Sequence, residues 1–188
     1  MRVGVLALQG DVREHLAILT SIGVETCEVR SSSNLEGLDG LIIPGGESTT
    51  ISKLIDIFEL RQAIADFANS GKGIYGTCAG MIMLASSVID SAAGQQSLNL
   101  MNIAVRRNAF GSQLDSFEKQ LDFAGKTVKV AFIRAPKVEK VGPGVEVISK
   151  LPDGSIVAVR QGKLLATAFH PEITGELEIH KYFVGMLS

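Results

Sequence analysis

Short apolar, β-branched runs alternate along this chain with stretches whose apolar positions recur every three or four residues, a pattern that predicts strands and helices in turn. Val3–Leu8 reads as the first strand and Asp11–Ile22 as the helix after it. Val24–Val29 and Gly40–Ile43 read as the next two strands, the second ending at Pro44-Gly45-Gly46. Ser48 is predicted to cap a helix carrying Ile51, Leu54 and Ile55, with a further helix near Leu60–Asn69. Lys72–Tyr75 is the fourth strand, Met81–Ala85 the start of its helix, and the small polar stretch Asp90–Ser97 a loop. Later strands are expected near Asn102–Arg106, Thr127–Ile133, Val145–Ser149, Ile156–Val159 and Leu164–Ala168, and a last helix over Glu176–Met186. The alternation predicts an α/β fold: a three-layer, open, mostly parallel sheet with helices on both faces. The strand-rich second half adds edge strands and a small antiparallel extension.

Composition narrows the function classes. The 188 residues are expected to form one domain around one core. A formal net charge of -2 supplies no concentrated basic footprint for duplex nucleic acid. No apolar run approaches the length of a membrane span, and the opening Met1–Leu8 is too quickly interrupted for a secretory signal, so a cytoplasmic location is expected. The cysteines are Cys27 and Cys78, without the spacing of a disulfide scaffold or a zinc site. Neither GxGxxG nor GxxxxGK[ST] occurs, so no nucleotide cofactor is expected.

Candidate chemistry concentrates at predicted strand ends, where open parallel sheets bind ligands. Gly76-Thr77-Cys78-Ala79-Gly80 places a cysteine between two glycines at a strand-to-helix junction, as a nucleophile is held on a sharp turn. A buried structural cysteine beside a tight turn would leave the same sequence. Of the three histidines, His15 and His180 fall inside predicted helices as surface or partly buried side chains. His170 instead follows the apolar run Leu164–Phe169 and precedes Pro171-Glu172. Residues two apart in an extended stretch point the same way, so Glu172 is expected beside His170, able to fix its tautomer. Gln9-Gly10 and Gly45-Gly46-Glu47-Ser48 occupy the same predicted sheet edge.

Pro44-Gly45-Gly46-Glu47-Ser48, Gly76-Thr77-Cys78-Ala79-Gly80 and Phe169-His170-Pro171-Glu172 together resemble the three signatures of class I, triad-type glutamine amidotransferases, a flavodoxin-like fold. Leu8-Gln9-Gly10-Asp11-Val12-Arg13-Glu14-His15, Gly45–Thr50, Arg107-Asn108-Ala109-Phe110-Gly111 and Phe132–Pro136 narrow the resemblance to the glutaminase subunits of pyridoxal 5'-phosphate synthase, over essentially the whole chain. The resemblance implies hydrolysis of L-glutamine to glutamate and ammonia, with no metal or organic cofactor. It assigns Cys78 as nucleophile, His170 as general base and acid, and Glu172 as the group orienting His170. It gives Gly46 and Ala79 as oxyanion donors, and Gly46, Glu47, Ser48, Arg107, Ile133 and Arg134 as glutamine-binding positions. Arg107, not the neighbouring Arg106, holds the motif register. The implied partner is a separate (β/α)8-barrel synthase subunit within a large hetero-oligomer, which makes pyridoxal 5'-phosphate from a pentose phosphate and glyceraldehyde 3-phosphate. The alternative is the glutaminase subunit of another amidotransferase, such as imidazole glycerol phosphate synthase. Ser112 stands where the resembled family usually has arginine, a departure from its pattern.

Overall fold

The computed structural model describes residues 1–109 and 116–188; Phe110, Gly111 and Ser112, cited above, lie outside the described residues. The first half runs β1 (Arg2–Leu6), α1 (Val12–Ser21), β2 (Glu25–Val29), a 3-10 turn at Ser32–Leu35, β3 (Gly40–Ile43), α2 (Ser48–Ile57), α3 (Leu60–Asn69), β4 (Gly73–Thr77) and α4 (Ala79–Leu84). The second half adds β5 (Ala85–Ile89), β6 (Met101–Arg106), β7 (Phe117–Phe123), β8 (Lys126–Phe132), β9 (Lys137–Val141), β10 (Glu146–Lys150), β11 (Ile156–Gln161) and β12 (Leu164–Thr167). It closes with α5 (Pro171–Thr174) and α6 (Glu178–Met186).

Ten strands form one sheet in the order β2-β1-β3-β4-β12-β11-β9-β6-β5, with β10 paired to β11, and β7-β8 form a separate hairpin. The pairings from β2 across to β12 are all parallel, whereas β12-β11, β11-β9 and β9-β6 are antiparallel. The mostly parallel sheet and its small antiparallel extension agree with the sequence pattern. β1, β3, β4 and β12 are buried almost throughout, as strands covered on both faces must be.

The side-chain period of two sorts β4 between the helical layers. Tyr75 packs its ring against His180 and Phe183 of α6, at centroid distances of 5.9 and 5.6 Å. Thr77, on the same side, meets His15 of α1. Gly76 faces the other layer, where a Cβ would lie 2.5 Å from the backbone of Gly80 in α4. That close approach lets α4 start immediately after the strand.

Five elements depart from expectation. β5, β7 and β9 were not readable as strands: their sequences ASSVI, FEKQLDF and KVEKV carry polar or charged residues at many positions. The β7-β8 hairpin turns at Ala124-Gly125, both with positive φ (51° and 80°), the geometry of a two-residue turn whose twist suits the strands. Ser48 is not the cap of α2. Glu47 is, its carboxylate accepting from the backbone N–H groups of Thr49 and Thr50. Pro171-Glu172 is the first turn of α5 and not extended chain, with the Pro at a position where its missing N–H costs nothing.

Candidate active site

Because β1, β3, β4 and β12 run parallel, their carboxyl ends deliver Gln9-Gly10-Asp11, Gly45-Gly46-Glu47, Cys78 and His170 to one edge of the sheet. Thr77 and Thr167 are register partners, and the Cys78 N–H extends the ladder by donating to the Thr167 carbonyl (2.8 Å). His170, three residues beyond Thr167, is locked by a two-way backbone bridge to Ala131 of β8 (N···O 2.7 and 3.3 Å). The hairpin thereby fixes the backbone of His170.

Cys78 sits at φ 48°, ψ -100°, a conformation an L-residue adopts only at a cost of about 1–3 kcal/mol. Packing on both sides enforces it. A Cβ at Gly76 would strike Gly80, and one at Gly80 would lie 2.1 Å from the Ile43 carbonyl oxygen, so strand, turn and helix fit only with glycine there. The Cys78 Sγ lies 3.8 Å from the Ile133 carbonyl oxygen, and Cys78 and His170 both line the cavity above the turn.

His170 is 4 % exposed, and its ring contacts two carboxylates through Nδ1: Glu172 Oε1 at 2.7 Å and Asp11 Oδ2 at 3.3 Å. Glu172 reaches it from the first turn of α5. The expected contact exists, but a helical turn with His170 as its N-cap creates it. Burial opposes an imidazolium at His170, yet hydrogen bonds with Asp11, Cys78 and Glu172 win, and its pKa is pushed up to about 12. For Glu172 burial pulls the other way and raises its pKa, opposed by the hydrogen bond to His170. With two acceptors and a thiol around one ring, the direction at His170 governs: the pair favours an imidazolium facing a carboxylate.

A cavity of about 560 Å³ opens over these groups, and its wall includes Cys78, His170, Gly46, Glu47, Ser48, Ala79, Arg107, Ile133 and Arg134. Glu172 stands behind this wall, fully buried at its side chain. Arg106 turns away to pair with Asp90 and Glu139, while Arg107 enters the cavity and donates to Gln95 (2.9 Å) and Glu47 (3.4 Å). Burial disfavours the Glu47 charge, but hydrogen bonds from Thr49 and Thr50 hold its pKa at about 2. Gln95 also donates to Ser48 Oγ (3.0 Å), joining that serine to Arg107. Gly45 and Gly46 pass so close to the site that a Cβ would meet the His170 ring at 2.3 Å in one case and Gln9 Oε1 at 2.4 Å in the other. Gln9 Oε1 in turn accepts from the Glu47 N–H (2.7 Å).

Sequence reasoning missed Asp11, Gln95 and the burial of two histidines. Asp11 stood in the Gln9-Gly10-Asp11 segment already placed at this edge, so its position was a usable signal; Gln95 lay in a stretch read as featureless loop. His15 and His180, expected at or near the surface, are both 0 % exposed and hydrogen-bonded to each other (Nδ1 of His15 to Nε2 of His180, 2.8 Å). Asp11, His170 and Glu172 form a group whose ligand-type atoms lie within 4.8 Å of one another. The 2.7 Å contact between His170 Nδ1 and Glu172 is that of a shared proton, so these side chains read as an acid–base cluster.

A thiol on a strained strand-to-helix turn, with a histidine against it and carboxylates behind, is equipment for attacking amides or esters through a covalent thiol intermediate. Residues 5–188 match the SNO glutamine amidotransferase family, and the chain belongs to that family. It is 55% identical to the pyridoxal 5'-phosphate synthase subunit PdxT of Dehalococcoides mccartyi strain CBDB1, over 99% of this chain and 97% of that protein. It is 50% identical to the subunit of the same name from Corynebacterium jeikeium, over 100% of this chain and 97% of that one. A crystal structure of a glutamine amidotransferase superposes with a TM-score of 0.93 at 45% identity, covering 98% of each chain. The structure of PurLQS from Thermotoga maritima shares the fold at TM-score 0.74 and 18% identity.

Proposed function

We propose that this chain is the glutaminase subunit of a pyridoxal 5'-phosphate synthase, one domain spanning residues 1–188 that releases ammonia from L-glutamine for a separate (β/α)8-barrel subunit. The observation that carries the reading is Cys78 on its strained turn against His170, which Glu172 holds from behind at 2.7 Å. In this reading the Cys78 thiolate attacks the side-chain amide carbon, and the N–H groups of Gly46 and Ala79 receive the developing oxyanion. His170 gives its proton to the departing ammonia, then takes one from the water that opens the thioester. Arg107 binds the substrate carboxylate, and Glu47, Ser48, Ile133 and Arg134 shape the rest of the glutamine site. The identity with synthase subunits supports pyridoxal 5'-phosphate as the product over the other amidotransferase pathways.

Ammonia released into water becomes ammonium, so the reading includes docking to the barrel in a large hetero-oligomer and weak hydrolysis by the free chain. It also places the assembly in the cytoplasm; among the described residues no helix is long and apolar enough to cross a membrane. The test mixes the chain with its native synthase partner and follows glutamine-dependent formation of pyridoxal 5'-phosphate, with an ammonium salt as the parallel nitrogen source. Cys78→Ala is expected to abolish the glutamine-dependent reaction and leave the ammonium-dependent one intact. Undiminished glutamine hydrolysis by that variant would overturn the assignment.

A further inference from the structure

Behind Glu172, on the side away from the cavity, lies a buried cluster that the chemistry above does not use. His15 of α1 directs Nε2 to Thr77 Oγ1 at 3.2 Å and stands 3.6 Å from Glu172 Oε1, the same oxygen that holds His170. Its Nδ1 meets Nε2 of His180 at 2.8 Å, and both rings are wholly buried. Tyr75 closes the cluster edge-on to both rings, with its hydroxyl bonded to Thr167. Among the described residues, the titratable groups facing this region from the packed elements are Asp11, Tyr75, His170, Glu172, His15 and His180.

We propose that His15, set by His180, is a positioning residue that presents an Nε2–H to Glu172 and so keeps the carboxylate ionised and turned toward His170; this rests on the triad reading above. The proton order follows from which lone pairs face each other. If His15 Nε2 carried a lone pair, it would oppose a buried carboxylate oxygen at 3.6 Å, a repulsion little screened in a dry interior. With the proton on Nε2 that contact is attractive, and Thr77 Oγ1 accepts the hydrogen bond. The Nδ1 of His15 is then an acceptor, which requires His180 to donate from Nε2 and leaves His180 Nδ1 as a bare lone pair. That nitrogen is buried without a hydrogen bond of normal geometry, which costs less for an acceptor than for an N–H. The proposed order leaves the His180 Nδ1 lone pair toward the neutral Glu176 carbonyl, whereas the opposite order relieves that contact but sets the His15 Nε2 lone pair against the charged Glu172 oxygen, the costlier of the two clashes. Burial above all, with the His180 and His170 rings also opposing a further charge, holds His15 well below the ordinary histidine range, so its contribution is that of a neutral dipole.

Nitrogen-15 NMR of the wild-type imidazoles needs no variant. The expected result is a neutral His15 carrying its proton on Nε2 and a neutral His180 carrying its own on Nε2 at pH 7; a His15 protonated on Nδ1 overturns the proposal. Steady-state hydrolysis by the assembled complex supplies the second arm. Loss of a donor near a charged group in His15→Phe should lower kcat about tenfold, leave KM within about twofold, and shift the His170 Nδ1 resonance from imidazolium toward neutral. His15→Gln, which retains an amide donor, should recover most of kcat and the His170 resonance. A folded, partner-binding His15→Phe with wild-type kcat and an unmoved His170 resonance overturns the proposal. So does His15→Gln behaving no better than His15→Phe. Failure of the triad reading itself is distinguishable, because it would appear as activity surviving Cys78→Ala.

Discussion

Glu172 and His170 separate two regions of opposite character. On the cavity side, charge is managed by charge: Asp11 and Glu47 are partly exposed, and Arg107 sits between Glu47 and Gln95. On the buried side, His15, His180, Thr77 and Tyr75 carry no net charge, and burial drives both histidines to their neutral forms. Near solvent an ion pair is weakened by screening, so several weak partners share the task. In the buried layer one oriented dipole suffices, but an uncompensated charge would cost several kcal/mol. The imidazolium at His170 is thus supported from two sides by different physics.

The largest expected effect comes from the residue both regions share. Glu172→Gln keeps the shape but removes the charge, and kcat is expected to fall about a thousandfold with little change in melting temperature. Wild-type turnover would mean that Glu172 serves only the first turn of α5.

Acid stability separates the two regions by sign. His180 is held by burial at about 4, below the ordinary 6.5, so the unfolded chain takes up its proton first. Its contribution is present above pH 6.5 and lost as pH falls toward 4, about 3 kcal/mol at full extent. His170 has the opposite sign: raised to about 12, it contributes fully below pH 6.5 and loses that contribution as pH rises through 12. Denaturant unfolding of His180→Phe should therefore show a flatter loss of stability between pH 6.5 and 4. An unchanged slope would place the acid sensitivity elsewhere.

Smaller effects belong to the cavity side. Arg107→Ala removes the cation proposed to bind the substrate carboxylate and should raise KM for glutamine about tenfold, with a lesser change in kcat. A fall in kcat alone would make Arg107 a scaffold for Glu47. Asp11→Asn should be mildest, lowering kcat/KM about threefold and drawing the His170 titration downward, since the 3.3 Å contact is partly exposed. An equal loss in Asp11→Asn and Glu172→Gln would erase the distinction between the regions.

The cavity side was largely legible in the sequence and the buried side was not. The glycines around Cys78 and at Gly45-Gly46 mark close approaches that no larger residue permits, so the loops carrying them were visible in a single chain. His15 and His180 offered no such mark. Their burial depends on α1 and α6 meeting beside β4, a tertiary fact with no local signature. Glu172 was placed correctly through the wrong local geometry, because an extended dipeptide and the first turn of a Pro-initiated helix both bring positions 170 and 172 together. Glu47 took the capping role expected of Ser48 because a longer carboxylate reaches two N–H groups of the first turn at once. Strands β7 and β9 escaped because charged residues fill their outward positions, while the few apolar ones, Leu121, Phe123 and Val138, face the core and are too sparse to mark a strand locally.

The seam where Gly10, Gly45 and Gly46 cross constrains how this enzyme can be redesigned. A methyl group at Gly10 would fall 1.8 Å from the Gly45 oxygen, one at Gly45 would meet the His170 ring, and one at Gly46 would meet Gln9. Each position is blocked by a different neighbour, and two of those neighbours belong to the seam's own loops. Saturation libraries that vary one site at a time should be least tolerant at Gly10 and Gly45, where backbone and the His170 ring block the way, and more tolerant at Gly46, where the end of the Gln9 side chain can move. Productive variants require paired replacements, such as Gly46 with a shortened Gln9, whose effects will be strongly non-additive.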